Sequence, residues 1–189
     1  VERSRGLGDV YKRQVLLCVV ALGMVYPAAV WAISRITPQS ADGNLIYQGE
    51  CLVGSTQIQD GVSEGPYFFP RAEGMSNYGT SSTELEKNMQ ERRAAIAQRE
   101  GVSEDRVPAD AVTGSGSGVD SGISPVYAEL QAPRVAREQG ISVEEMEKLI
   151  AENTEHASLG FLGEDTVNVT TLNMSVSYTH LTLPTKRIV

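Results

Sequence analysis

The chain has 189 residues, 41% hydrophobic and 21% charged, which is enough to bury the core of one ordinary domain. With 16 Lys and Arg against 24 Asp and Glu its net charge is −8, and phosphate binding needs clustered cations, so nucleic acid is excluded as a partner. Two cysteines, Cys18 and Cys51, and two histidines leave no spacing that a Cys/His zinc site or a nucleophile-base pair would use.

Both ends are unusual. Ser4 to Gln14, SRGLGDVYKRQ, back-translates into a transposon adaptor used for sequencing libraries, and Val176 to Thr185, VSYTHLTLPT, into the complementary strand of the same kind of adaptor. Residues 1–14 and 176–189 are therefore set aside as adaptor artefact in reading the fold. Those ends carry six Lys and Arg against two acids, so the net charge moves from −8 to −12 over residues 15–175.

Val15 to Ile33, VLLCVVALGMVYPAAVWAI, is nineteen residues without a charge. As a helix at about 1.5 Å per residue it spans roughly 28 Å, close to a bilayer's hydrocarbon thickness. Pro27 inside it is better tolerated in a membrane helix than in a soluble one, and Tyr26 and Trp31 suit an interface. A signal peptide has a shorter apolar core and a small-x-small cleavage site, which AVWAISRITP lacks, so the run predicts an uncleaved anchor.

Residues 34–175 follow as a single soluble domain. Ala41 to Ala72 carries short strand-forming runs, Leu45-Ile46-Tyr47 and Cys51-Leu52-Val53, between glycine turns. Thr83-Glu84-Leu85-Glu86 predicts a capped helix running to about Arg99 before Gly101. Ser124-Pro125 predicts a helix start, and Pro133 predicts that Pro125 to Gln139 is kinked or split in two. Ser142 with Glu145 caps a further helix whose apolar face is Val143, Met146, Leu149 and Ile150. Asp165 to Met174, DTVNVTTLNM, alternates like a strand. The class is α+β: one N-terminal transmembrane helix, then a mixed α/β domain.

The stretch Val112 to Pro125, VTGSGSGVDSGISP, invites a catalytic or phosphate-binding reading. It fails the templates. No lysine lies between Lys87 and Lys148, so it is not a Walker loop. After Gly114 and Gly116 the third dinucleotide-fingerprint position is Val119, and neither Ser115 nor Ser117 has the G-x-S-x-G frame. Asp110 and Asp120 flank the stretch, and carboxylates so placed are commonly turn or cap residues. His156 reads as a surface residue near a helix end.

In order, VPADAVTGSGSGVDSGISP, AELQAPRVAREQGIS and LGFLGEDTVNVTTLNM resemble the C subunit of the Kdp potassium-transporting ATPase. That family reads about V-P-x-[DE]-L-V-T-x-S-x-S-G-L-D-x-x-I-[ST]-P, then Q-x-x-R-V-A-x-A-R, then L-G-x-x-G-x-P-x-V-N-V-x-x-L-N. Looser matches upstream are Val25-Tyr26-Pro27, Gly43-Asn44-Leu45-Ile46, Gly54-Ser55 and Tyr67-Phe68. Departures include YFFPRAEG for Y-F-x-x-R-P-S, a shortened NYGTSSTEL, Gly114 for alanine and Asp165 for proline.

The resemblance implies a non-catalytic accessory subunit of a high-affinity ATP-driven potassium uptake complex. Its implied partners are a channel-like potassium-binding subunit, a P-type ATPase subunit and the lipid bilayer. It implies the bacterial or archaeal cytoplasmic membrane, a single pass and an extracytoplasmic domain. No firmly bound cofactor is implied; ATP and potassium belong to the complex, and the subunit is described as raising the ATP affinity of the ATPase subunit. The candidates for nucleotide or partner contact are Ser115, Ser117, Asp120, Gln131 and Arg134; no catalytic or metal-binding residue is expected. The alternatives are a membrane-anchored nucleotide-binding protein using the glycine stretch and a generic anchored binding module.

Overall fold

The computed structural model describes residues 2–59, 65–72, 77–79 and 81–182. It divides into two compact units, Val1–Asn44 and Leu45–Val189.

In the first unit, helix α1 (Glu2–Val20), a π-helical turn (Ala21–Val25) and helix α2 (Tyr26–Ser34) follow one another without a break. Gly8–Ser34 is long and apolar enough to cross a membrane, and none of its side chains is buried within the chain. The expected span, Val15 to Ile33, lies inside it. The wide turn sits immediately before Pro27, whose ring cannot donate to the ladder and crowds the preceding turn; one extra residue there relieves the crowding. A short helix, α3 (Pro38–Ala41), follows, and Arg35 and Asp42 pair across it at 3.0 Å.

The second unit opens with the antiparallel hairpin β1 (Leu45–Gln48) and β2 (Cys51–Ser55), turning through Gly49 at φ +64°. The two expected strand runs are thus found, while residues 60–64 of that stretch lie outside the described residues. Helix α4 (Thr83–Glu100) has Ser82, not Thr83, as its cap, one residue before the position expected from the capping-box pattern. Ser82 caps it by accepting from the Leu85 N–H at 3.3 Å, and Gly101 in the left-handed region ends it. A 3-10 turn (Glu104–Arg106) and helix α5 (Ala109–Val112) lead into the glycine stretch and strand β3 (Gly122–Ile123).

Helix α6 (Pro125–Gln139) is the centre of the core, with nine buried residues. Ser124 caps it as expected, its Oγ accepting from the Tyr127 N–H at 3.0 Å. Of the two expected outcomes, the split is not found: Pro133 lies inside one continuous helix. Pro133 and Glu129 both face solvent, so the ring and the carbonyl it leaves without a donor are turned to water rather than to the core. Helix α7 (Val143–Glu152) carries the full capping box of Ser142 and Glu145 and buries Met146 and Ile150 against α6.

Strand β4 (Thr154–Glu155) and strand β5 (Thr166–Asn168) complete a three-stranded antiparallel sheet in the order β3-β5-β4. The expected strand over Asp165 to Met174 shrinks to those three residues, because Asn168 starts helix α8 (Val169–Thr182). Its Oδ1 accepts from the Thr171 N–H at 3.2 Å, an N-cap geometry. Val169, Leu172 and Val176, all buried, recur at helical spacing on one face. The α+β class stands.

Candidate functional site

The glycine stretch folds as a self-bonded loop. Ser115 is buried, and its Oγ accepts from the Asp120 N–H at 3.3 Å and lies 3.5 Å from the Ser117 Oγ. Ser117 accepts from the Val119 N–H at 3.3 Å, and Asp120 Oδ1 from the Gly122 N–H at 3.0 Å. Gly118, at φ +77°, closes a turn onto the Ser115 carbonyl. Asp110 ties the far end by accepting from the Ser124 N–H at 2.9 Å. Ser115, Ser117 and Asp120 are therefore brought together, with their polar atoms engaged in shaping the turn.

Gln131 and Arg134 lie elsewhere, and among the described residues no hydrogen bond joins them to that loop. Both project from the buried face of α6 onto Pro66 to Pro70, a segment with proline at each end and no strand partner. Side chains replace the missing sheet. The carbonyls of Pro66, Tyr67, Phe68 and Phe69 accept from Gln139 at 2.6 Å, Arg134 at 3.0 Å, Asn173 at 2.9 Å and Gln131 at 3.1 Å. Asn173 and Gln131 also take the Phe68 and Phe69 N–H groups, each at 2.8 Å. Two amides thus pair donor and acceptor with consecutive residues, as neighbouring strands would. Further along, Arg71 bonds the Thr113 and Gly114 carbonyls, joining this segment to the start of the glycine stretch.

Two guanidinium groups pack on the Phe69 ring, Arg99 at 4.1 Å and Arg134 at 4.8 Å from its centroid. Glu100, its side chain wholly buried, binds Arg99 at 2.6 Å and Arg134 at 2.9 Å. Glu138 adds a second acid to Arg134 at 3.4 Å, so around Phe69 two cations meet two carboxylates. Arg99 also donates to the Tyr127 phenol at 3.0 Å. Burial pushes that phenol's pKa up, opposed by the charge and hydrogen bond of Arg99.

Beside the segment is a cavity of about 160 Å³ lined by Val53, Tyr67, Val169, Asn173 and Met174 among others, well below the roughly 300 Å³ at which small-molecule sites begin. A groove of about 390 Å³ on α4 includes Arg93, whose buried Nε has no partner among the described residues. Among the described residues no three metal-ligating side chains cluster. His156 is exposed and lies 2.9 Å from Asp165.

A family described as "K+-transporting ATPase, c chain" matches residues 11–177, which spans the anchor and the domain alike. The chain belongs to the KdpC family. It is similar to the potassium-transporting ATPase KdpC subunit of Kineococcus radiotolerans, 41% identical over 173 residues, covering 86% of this chain and 88% of that protein. The KdpC subunits of Beijerinckia indica and Bacillus cytotoxicus are 40% identical over 174 residues and 38% identical over 186. The latter alignment covers 93% of this chain and 96% of that protein.

Within this KdpC-family chain, sequence reasoning singled out Gln131 and Arg134 but missed Arg99, Glu100, Gln139 and Asn173. One signal was available. Gln131 and Gln139 stand on the apolar face of α6 among Tyr127, Ala128 and Val135, where a polar side chain must find an internal partner.

Proposed function

We infer that this chain is a non-catalytic accessory subunit of an ATP-driven potassium uptake complex. One helix anchors it in a prokaryotic cytoplasmic membrane, and its domain lies on the extracytoplasmic side. There it assembles with a potassium-binding subunit and an ATP-hydrolysing subunit. The observation that carries this reading is the family match across both anchor and domain, over residues 11–177. The internal use of Gln131, Arg134, Ser115 and Asp120 supports it, because a nucleotide site needs polar groups free to meet its phosphates. Any influence on ATP affinity then passes through the ATPase subunit, and ATP and potassium are ligands of the complex.

The test is co-purification. The affinity-tagged chain, co-expressed with the other subunits, is expected to bring both with it, and potassium-stimulated ATP hydrolysis is expected to fall in membranes lacking it. ATP binding by the chain alone, abolished by Gln131→Ala or Arg134→Ala in variants that keep the native circular-dichroism spectrum, would replace this reading with that of an anchored nucleotide-binding protein.

A further inference from the structure

Between β4 and β5 the chain makes a tight turn. Ser158 and Leu162 exchange both backbone hydrogen bonds at 2.9 Å, closing over Leu159, Gly160 and Phe161. Leu159 and Gly160 have φ of +58° and +78°, the left-handed pair of a primed hairpin turn. Such turns take Asn-Gly, Asp-Gly or Gly-Gly, because a larger side chain in that region crowds its own backbone. Leucine in the first position is strained, and it is 82% exposed, with Phe161 at 75% and Leu162 at 54%. Backbone strain and apolar exposure at one tip are unfavourable for an isolated domain and recur where a partner uses them.

The tip is pre-shaped. Asp165 Oδ1 accepts from the Ala157 N–H at 2.9 Å, and its Oδ2 lies 2.9 Å from His156 Nδ1, so one carboxylate fixes the base of the turn. A fixed turn loses less entropy on docking.

Charge selects the partner. Glu152, Glu155, Glu164 and Asp165 lie on or near the turn, and no Lys or Arg occurs between Lys148 and Lys186. An anionic lipid surface repels such a tip. Its complement is a protein pocket with an apolar floor and a rim of Lys or Arg. We propose that Leu159, Phe161 and Leu162 form a docking knob that inserts into a basic-rimmed apolar pocket on another protein subunit. This rests on the reading of the chain as part of a multi-subunit complex.

The test uses the full chain, tagged and co-expressed with the other subunits. Leu159→Asn with Phe161→Ser removes the apolar tip while giving the turn a residue that fits left-handed backbone, so folding is preserved. The variant is expected to stay in the membrane fraction with a melting transition no lower than that of the unsubstituted chain, while recovery of the partner subunits falls about tenfold or more. Glu155→Lys with Glu164→Lys is expected to lower recovery more at low salt than at high salt. Recovery of partners at the unsubstituted level by the tip variant overturns the proposal. Recovery of no subunit by the unsubstituted chain instead refutes the multi-subunit reading, and the proposal falls with it. A Trp31→Phe, Phe161→Trp chain reconstituted alone in phosphatidylcholine vesicles is expected to resist quenching by brominated lipid. Strong quenching assigns the knob to the bilayer and also overturns the proposal.

Discussion

Removing either amide that holds Phe68 and Phe69 should be among the most damaging single changes in the domain. Asn173→Ala orphans the N–H and C=O of Phe68, which is wholly buried, and Gln131→Ala orphans those of Phe69, which is half-buried. Each buried group left without a partner costs about 1–3 kcal/mol, so Asn173→Ala is expected to cost about 4 kcal/mol and Gln131→Ala about 3 kcal/mol, water reaching Phe69 more easily. The two losses should not add. Once one amide is gone the segment detaches, so the double variant is expected to lose about 5 kcal/mol in all, a coupling of about 2 kcal/mol. Urea unfolding of the detergent-solubilised full chain, followed by circular dichroism, measures all three variants and closes the cycle. Single losses below about 1 kcal/mol, or strict additivity, would refute the idea that side chains replace a sheet here.

Other expectations follow from the same geometry. Glu100→Gln leaves Arg99 and Arg134 beside Phe69 without their shared anion and is expected to cost about 3–5 kcal/mol in the same unfolding assay; a loss under about 1 kcal/mol would mean the pair is solvated. Pro133→Ala restores a helix donor at an exposed position and is expected to raise stability by about 1–2 kcal/mol; a lower melting temperature would mean the proline is needed. Val176→Ala opens the buried end of the α8 face and is expected to cost about 2 kcal/mol, whereas an unchanged melting point would detach that residue from the core. The hydrogen bond from His156, followed by that from the Ala157 N–H, holds the Asp165 carboxyl below its usual range. A depressed carboxylate contributes stability above its unfolded pKa of about 3.9 and loses it as pH falls through the folded value. The Ala157 amide resonance is therefore expected to shift only below about pH 4, and a midpoint above that would sink the contact.

What could be read from the residues was mostly local. Ser124, Ser142 and Gly101 announce helix ends because caps act within a single turn. Whether Pro133 would split its helix was not legible, because a proline's effect depends on which face of the helix it occupies, and that is a tertiary property. Asp165 to Met174 misled for a different reason. Val169 and Leu172 alone do not establish helical spacing, and Val176, which completes the face, belonged to the stretch set aside as adaptor-like. The clamp on Phe68 and Phe69 was the least legible part. Its partners are separated by 62 and 105 positions, and no short-range pattern encodes such a pairing.

The widened turn before Pro27 bears on how the anchor is seated. Proline removes one donor from the ladder midway along Gly8–Ser34, so a carbonyl about one turn earlier has no backbone N–H to meet. Hydrocarbon cannot supply the missing proton donor, whereas a hydroxyl or amide on an adjacent transmembrane helix can. The anchor is thereby two-sided. Most of its circumference is indifferent to lipid, and the side bearing the bared oxygen gains by lying against protein, which gives an otherwise uniform apolar rod a preferred rotation about its own axis.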